Sequence, residues 1–503
     1  MKKHALSLLL AAAAVSLPLH QAAAQKGYRG GSIEQPIRGG GGYHGGGGRG
    51  WGGLATGLAI GTVTGIIMSQ PPAGAVEQAP PPQRAQRPNQ NQPQRNARGS
   101  GAPPPGETRL GPDEVVIELP NTIPAATIDS VQRRHRLTRL ESQTVTLTGT
   151  TFYRWRIPDR RSVAVVVRAL EADTRIASAQ PNYRYTLQQD SAPKAEPAAL
   201  SPDTPAGPAT TLQSFEIKAK IDPLQYAVLK MRLNEAHSLA KGDNVLVAVI
   251  DSGVDANHPE LAGAVADSLD TVQSPFAPHD HGTGIAALIA GRERLTGASP
   301  GARILAVRAF DPAGSGAAAT TFSILKGLDW SAMKGARIIN MSFAGPADPA
   351  ISRSLAAARK KNIVLIAAAG NAGAKSPPLY PAADPNVIAV TATDSADRLF
   401  QGSNRGRHIA VAAPGVDVLI AVPNGGYQVS TGTSFSAAQV SGTVALMLQH
   451  KGQLTPDQVR ATLLSTAKDL GPTGRDDDYG AGLTDAYRAL TDGTKTSAAA
   501  PAR

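Results

Sequence analysis

Apolar positions along this 503-residue chain change their periodicity from one segment to the next, and each change marks a boundary. Residues 25–112 have almost no period. Gly39–Gly48 is glycine-rich, and Pro71–Pro105 is rich in Pro, Gln, Asn and Arg. Such stretches bury too little apolar surface to offset chain entropy, so this arm is expected to be disordered. Order returns at Asp113. Val115–Leu119 reads as a strand and Ile123–Arg136 has helical spacing. Gln143–Leu147 and Thr151–Ile157 read as paired strands, Ser162–Ala172 as an apolar-faced helix, and Ile176–Leu187 as a last strand broken by Pro181. The order is βαββαβ, a small α+β domain of ferredoxin-like topology over 113–188. Residues 189–222 turn to Ala, Pro, Ser and Thr, a linker composition open to cleavage. Beyond them strand-like runs alternate with helical ones: Asn244–Ile250, Ala302–Val307, Ile338–Met341, Ile363–Ala368 and Val387–Thr391. Alternation sustained over 223–491 predicts an α/β domain, a parallel sheet with helices on both faces. Residues 492–503 read as a tail.

Two apolar runs fall outside these domains. Met1-Lys-Lys-His4 leads into an apolar stretch from Ala5 to Leu17 and then Ala22-Ala23-Ala24. A charged start, a short apolar run and small residues at −3 and −1 predict a secretory leader, residues 1–24, cut before Gln25. A membrane anchor would need about 20 apolar residues. Within the arm, Gly53, Gly57, Gly61 and Gly65 recur four apart among Leu, Ile and Val. On a helix that spacing makes one smooth face, suited to close helix approach in lipid. Segment 53–68 therefore reads either as an apolar stretch of a flexible tail or as a membrane- or self-associating helix.

Composition narrows the classes. The chain lacks cysteine, which excludes a disulfide scaffold, a thiolate metal site and a cysteine nucleophile. Export without cysteine suits a bacterial periplasm or exterior. The net charge of +11 is not carried by the large domain, where Asp222–Leu490 holds 23 acidic and 23 basic residues. The segment Gln25–Leu110 has nine Lys/Arg against three Glu. With no basic cluster on a folded face and only 4% aromatics, nucleic-acid binding is not expected.

Three segments of the large domain carry chemistry. The apolar strand Val245–Ile250 ends in Asp251-Ser252-Gly253, which puts a carboxylate beyond the carboxyl end of a parallel strand, where functional groups gather. His281-Gly-Thr-Gly284 opens a small-residue helix, and Gly432-Thr-Ser434-Phe-Ser436 opens another. Ser434 thus sits at a helix N-terminus, where free N–H groups favour developing negative charge. An acid, an imidazole and a hydroxyl in that order can act as orienter, base and nucleophile: Asp251 fixes the imidazole, His281 takes the proton, Ser434 attacks.

Asp251-Ser-Gly-Val-Asp255, His281-Gly-Thr283 and Gly432-Thr-Ser-Phe-Ser-Ala-Ala-Gln-Val-Ser-Gly442 resemble the three signature blocks of subtilisin-like serine proteases, over about Asp222–Leu490. Their separations are 30 and 153 residues. The resemblance implies a subtilisin-like parallel sheet and a serine endopeptidase acting on protein or peptide substrates through an acyl-enzyme. It also implies that Asn371, in Gly370-Asn-Ala-Gly373, joins the backbone N–H of Ser434 as an oxyanion donor. Ser342, Ala344 and Gly345 match the strand bordering the specificity pocket and are the expected substrate-binding residues.

Two positions depart from the family pattern. Ala438 stands where Pro is usual, and Ala344 where Gly is usual. The methyl of Ala344 bears on how a peptide docks, so no P1 preference follows. His279 and Asp280 read as surface or cleft-edge residues. The domain 113–188 resembles the propeptides of this family, which implies an intramolecular inhibitor and folding aid, self-cleavage between Leu187 and Asp222, and a monomer after processing. The lesser reading of this βαββαβ fold is an independent binding module. No cofactor is required for catalysis and no metal ligand is assigned. Structural calcium is common in the family, but Asp476-Asp477-Asp478 lacks the alternating ligands of a known loop. The competing class is a non-enzymatic secreted scaffold built on a degenerate protease fold.

Overall fold

The computed structural model describes residues 100–187 and 225–492, apart from 273, 276 and 313–316. The leader, segment 53–68, the linker and the tail lie outside the described residues. The small domain runs β1 (Leu110–Pro120), α1 (Ala125–His135), β2 (Thr138–Val145), β3 (Thr150–Arg156), α2 (Val163–Glu171) and β4 (Ser178–Leu187). Its strands order β4-β1-β3-β2, all antiparallel, which is the expected βαββαβ arrangement. Order begins earlier than composition implied. β1 starts at Leu110, and Ser100 and Gly101 already bond to Glu171, so residues 100–112 belong with this domain rather than with the arm. β4 is also continuous through Pro181. Proline has no N–H to give the ladder. The partner strand accommodates this with a register shift between Leu110 and Val115, and Val115 is the residue paired with Pro181.

The large domain continues with α3 (Tyr226–Lys230), α4 (Leu233–His237), β5 (Leu246–Asp251), β6 (Val265–Asp270), α5 (Asp280–Ala290), β7 (Arg303–Arg308) and β8 (Ala318–Thr320). It then runs through α6 (Thr321–Met333), β9 (Ile338–Met341), β10 (Phe343–Ala344), α7 (Pro349–Lys360), β11 (Val364–Ala368), β12 (Ile388–Thr393) and β13 (Ile409–Pro414). A hairpin of β14 (Val418–Val422) and β15 (Gly426–Ser430) precedes α8 (Thr433–Lys451), α9 (Pro456–Thr466) and α10 (Ala486–Thr491). Seven strands form one parallel sheet in the order β13-β12-β11-β9-β5-β7-β6.

Strands buried on both faces read as unbroken apolar runs, and β5 feeds both cores in alternation. Val247 and Val249 face the core with α5 and α8; Ala248 and Ile250 face the core with α6 and α7. The small domain has its own core around Trp155, while the other face of its sheet, with Val116, Phe152 and Tyr183, packs into the α6–α7 core. α8 is buried on all sides from Thr433 to Leu448, as an apolar helix crossing the middle of a domain must be.

The start of α5 is pressed against the loop after β5. Gly253 turns that loop with φ 109°, and a Cβ on Gly282 would stand 2.3 Å from its carbonyl oxygen. Only a residue without a side chain allows the helix to come this close. Gly282→Ala forces backbone apart rather than a side chain. A loss of about 1–3 kcal/mol is expected in urea denaturation, together with lost activity, because His281 and Asp251 lie on the two sides of that contact.

Candidate active site

β5 ends at Asp251, α5 begins at Asp280 and α8 at Thr433, so a strand end and two helix starts deliver the three expected groups to one rim of the sheet. Asp251 and His281 are fully buried and bonded, with His281 Nδ1 2.8 Å from Asp251 Oδ1. The carboxylate only accepts, so Nδ1 carries the hydrogen and Nε2 is the bare, basic nitrogen. Nε2 has no hydrogen-bond partner. Asp251 Oδ1 also accepts from the Ser252 N–H at 2.8 Å and the Ser252 hydroxyl at 3.0 Å. The ring of Phe435, next in chain to Ser434, lies 5.8 Å from the imidazole between centroids.

Ser434 is in the first turn of α8. Its hydroxyl donates to the Ser342 carbonyl at 3.2 Å, and the Ser342 hydroxyl donates back to the Ser434 carbonyl at 3.2 Å. Ser342 also accepts from Asn340 Nδ2 at 2.9 Å, and Ser441 donates to Asn340 Oδ1 at 3.0 Å. This buried chain ties β9 to α8. Ser342, an expected substrate-binding residue, therefore also supports the serine.

Asn371 follows β11. Its Oδ1 accepts from the Thr433 N–H at 3.1 Å and from the Thr433 hydroxyl at 2.8 Å. A backbone N–H can only donate, so these bonds fix which end of the amide is oxygen and turn Nδ2 away from Thr433. Thr433 Oγ1 in turn accepts from Gly370 N at 3.1 Å. Nothing in the sequence pattern singled out Thr433, although it stands beside the serine.

The remaining expected residues lie along β4. Thr186 pairs with Ala344, and Leu187 with Phe343. On its other side β4 pairs with β8, through Tyr185 with Ala319 and Thr186 with Ala318. The small domain thus inserts its last strand between two strands of the large one. Gly345 does not join this ladder: its N–H and carbonyl pair with Tyr380 at 2.8 and 3.1 Å. Its bare Cα instead makes room for the Tyr185 ring, since a Cβ there would stand 2.3 Å from Cδ1. Tyr185 is buried against Phe343, edge to face at 5.8 Å, and its hydroxyl donates to the Pro346 carbonyl at 3.2 Å. Sequence reasoning missed both Phe343 and β8; each is a short apolar piece without a motif.

Acidic residues are committed elsewhere. Among the described residues no group of three or more His, Cys, Asp or Glu could hold a metal ion. Asp476 accepts from the N–H groups of Asp478 and Tyr479, while Asp477 and Asp478 pair with Arg475 and Arg405. These three carboxylates do not form such a group. Buried Glu260 accepts from the N–H groups of Arg292, Glu293, Arg294 and Leu295 at 2.8–3.1 Å, and from the Tyr427 hydroxyl at 2.8 Å. It latches the loop after α5 directly, with both oxygens occupied.

The fold and this constellation define an α/β enzyme of the serine-endopeptidase class. Residues 242–482 match the subtilase family model. The chain is 35% identical over 274 residues to thermitase from Thermoactinomyces vulgaris, covering 53% of this chain and 95% of thermitase. It is 33% identical over 340 residues to a thermophilic serine proteinase from Bacillus sp. (strain AK1), covering 66% of this chain and 76% of that one. Fervidolysin from Fervidobacterium pennivorans, described as a keratinolytic enzyme related to subtilisin, superposes with a TM-score of 0.64 at 25% identity. That match covers 78% of this chain and 62% of fervidolysin, so the chain spans less than two thirds of that structure's length. The chain belongs to the subtilase family.

Two substitutions test the supports around the site. Thr433→Val removes the hydroxyl bond to Asn371 and is expected to lower kcat about tenfold with little change in KM, while Thr433→Ser keeps kcat near wild type; steady-state kinetics on a peptide ester reads both. Glu260→Ala leaves four amides without their acceptor and is expected to cost about 2–4 kcal/mol in chemical denaturation.

Proposed function

We propose that this chain is an exported serine endopeptidase made as a self-processing zymogen, with Asp251, His281 and Ser434 as its catalytic triad. The observation that carries this reading is the buried 2.8 Å bond from His281 to Asp251, which leaves Nε2 bare while the imidazole lies 5.8 Å from the ring of Phe435, the residue after Ser434. In the resting arrangement the serine hydroxyl donates to the Ser342 carbonyl. Reaction requires that hydroxyl to rotate toward Nε2, a tightening that substrate binding commonly brings about.

Ser434 Oγ then adds to the scissile carbonyl carbon while its proton passes to His281 Nε2. The carbonyl oxygen becomes an oxyanion, met by the Ser434 N–H and the Asn371 Nδ2–H. The tetrahedral intermediate collapses with cleavage of the C–N bond, and the imidazolium gives its proton to the leaving amine. Water, deprotonated by His281, repeats the sequence on the acyl-enzyme and frees the acid. Asp251 stays ionised and stabilises the imidazolium throughout. Every group needed for these steps belongs to the chain, so catalysis requires no cofactor.

The small domain acts in this reading as a propeptide. Its last strand lies along β10 and β8 as an extended peptide substrate would, by strand addition at an open edge. A parallel sheet rests on distant contacts and folds slowly, so a docked partner assists its assembly. Self-cleavage in the linker 189–222 releases the mature enzyme, expected to be a monomer acting on proteins or peptides in the periplasm or outside the cell. The secretory leader supports export, and among the described residues no helix is long and apolar enough to cross a membrane.

Mass spectrometry of the full chain beside Ser434→Ala tests the proposal. Wild type is expected to appear cut within 189–222 and to bind a fluorophosphonate. Ser434→Ala is expected to stay full length and unlabelled. A Ser434→Ala protein that reaches the mature size when purified alone overturns it.

A further inference from the structure

The residue two positions before His281 is a second imidazole, and it is wired to the same carboxylate. His279 precedes the first residue of α5 and is half-buried. Its Nδ1 lies 2.9 Å from Ser252 Oγ, and Ser252 Oγ lies 3.0 Å from Asp251 Oδ1. We infer that His279 is a positioning residue for the reaction: through Ser252 it holds the Asp251 carboxylate in the orientation that fixes His281. The inference rests on the triad assignment made above.

Proton counting decides how the chain of bonds runs. Ser252 has one hydroxyl hydrogen and two neighbours. Asp251 is a carboxylate and can only accept, and a bond to a charged acceptor is the stronger one. The hydroxyl hydrogen therefore points to Asp251, and Oγ must accept from His279. That requires the hydrogen of the neutral His279 ring to sit on Nδ1. In the opposite tautomer Oγ would donate to His279 and turn a lone pair toward a carboxylate oxygen 3.0 Å away. The backbone N–H of His281 also lies 3.4 Å from His279 Nδ1, at the long end of hydrogen-bond range, and a protonated Nδ1 has no lone pair to receive it. The donor chain runs from His279 Nδ1 to Ser252 Oγ to Asp251 Oδ1.

The consequence falls on Asp251. Three donors converge on Oδ1: the Ser252 N–H, the Ser252 hydroxyl and His281 Nδ1. Oδ2 has no partner. Only the Ser252 hydroxyl among them can rotate, and His279 is the group that stops it. Shared over three donors, the negative charge pulls on the His281 proton less strongly than a bare carboxylate would. Loss of the relay leaves Asp251 freer to turn and more strongly attractive to an imidazolium.

The charged and titratable groups facing His279 are Asp251 on β5 and Asp280 and His281 on α5. Burial is the main influence and holds the His279 imidazolium below its ordinary range; His281 acts the same way, and the two aspartates oppose it. The ring is therefore neutral at neutral pH, the form the relay uses.

The test is the pH dependence of fluorophosphonate inactivation, measured on full-length chains allowed to process. In His279→Ala the inactivation rate at neutral pH is expected to fall about three- to tenfold. The acid limb is expected to move to higher pH, which a merely structural loss would not cause. His279→Asn carries an N–H donor at the same reach and is expected to restore both. Ser252→Ala should shift the limb as His279→Ala does, and the double variant should shift it no further, since the two residues act as one chain. An acid limb in His279→Ala that superimposes on wild type, or shifts that add in the double variant, overturns the inference while leaving the triad intact. Wild type that is never labelled overturns the triad and this inference together.

Discussion

The bond between two fully buried groups, the Asp251 carboxylate and the His281 imidazole, sets the demands on the rest of the structure. A carboxylate taken out of water is costly unless its oxygens are met by donors. Here the acceptor ends β5, and the donors sit on two short pieces of backbone, the residue after β5 and the start of α5. These pieces must hold their relative positions to a few tenths of an ångström. The parallel sheet fixes β5 from both sides, and the close contact of Gly282 with Gly253 fixes α5 against it. The serine arrives from a third direction on α8, which is rigid because it is buried along most of its length.

Around this centre the polar side chains form supports with a common logic. Ser342, Asn340 and Ser441 bind the serine's backbone to β9, and Thr433 binds the Asn371 amide to the start of α8. Ser252 and His279 do the same for the acid. For Ser342, Thr433 and Ser252 a buried hydroxyl with one hydrogen has its direction decided by a neighbour that can only accept or only donate. Buried supports of this kind require their own members to be satisfied, while at the centre Asp251 Oδ2 and His281 Nε2 are left without a partner. That requirement accounts for the density of Ser, Thr and Asn in the centre of an otherwise apolar domain.

The small domain is joined to the large one by the same two kinds of interaction. One face of its sheet contributes Val116 and Phe152 to the α6–α7 core, and its last strand completes a ladder with β8 and β10. The amides of Gln180 and Asn182 reach the starts of α7 and α6, accepting from Ala350 N at 3.0 Å and Phe322 N at 3.3 Å. Asp348, which caps α7 itself, is buried at this junction and also receives Gln180 Nε2 and the Thr321 hydroxyl. Burial raises its pKa, and the surrounding donors act in the opposite sense. The contact is thus part apolar surface and part helix-end satisfaction.

The alternation of apolar runs with helical spacing foretold a parallel α/β domain, because strands buried on both faces and helices buried on one leave different periods. β5, β7, β9, β11 and β12 fall within a residue or two of where those runs lie. The three chemical blocks were equally legible, since Asp, His and Ser stand at strand ends and helix starts that local pattern alone can locate. The edge strand β6 and the two-residue β10 were not, because their residues carry no period of their own and take strand form only from the partners that tertiary contact supplies. The hairpin β14–β15 did leave a signal, the apolar run Val418–Val422 followed by Asn424-Gly425, which sequence reasoning missed. The direction of each hydroxyl, the contacts of Ser342 and Gly345, and the tie between His279 and Asp251 likewise depend on groups distant along the chain. A sequence states which donors and acceptors exist; which of them meet is decided when the backbone has packed, because a hydrogen bond depends on distances no spacing in the sequence encodes.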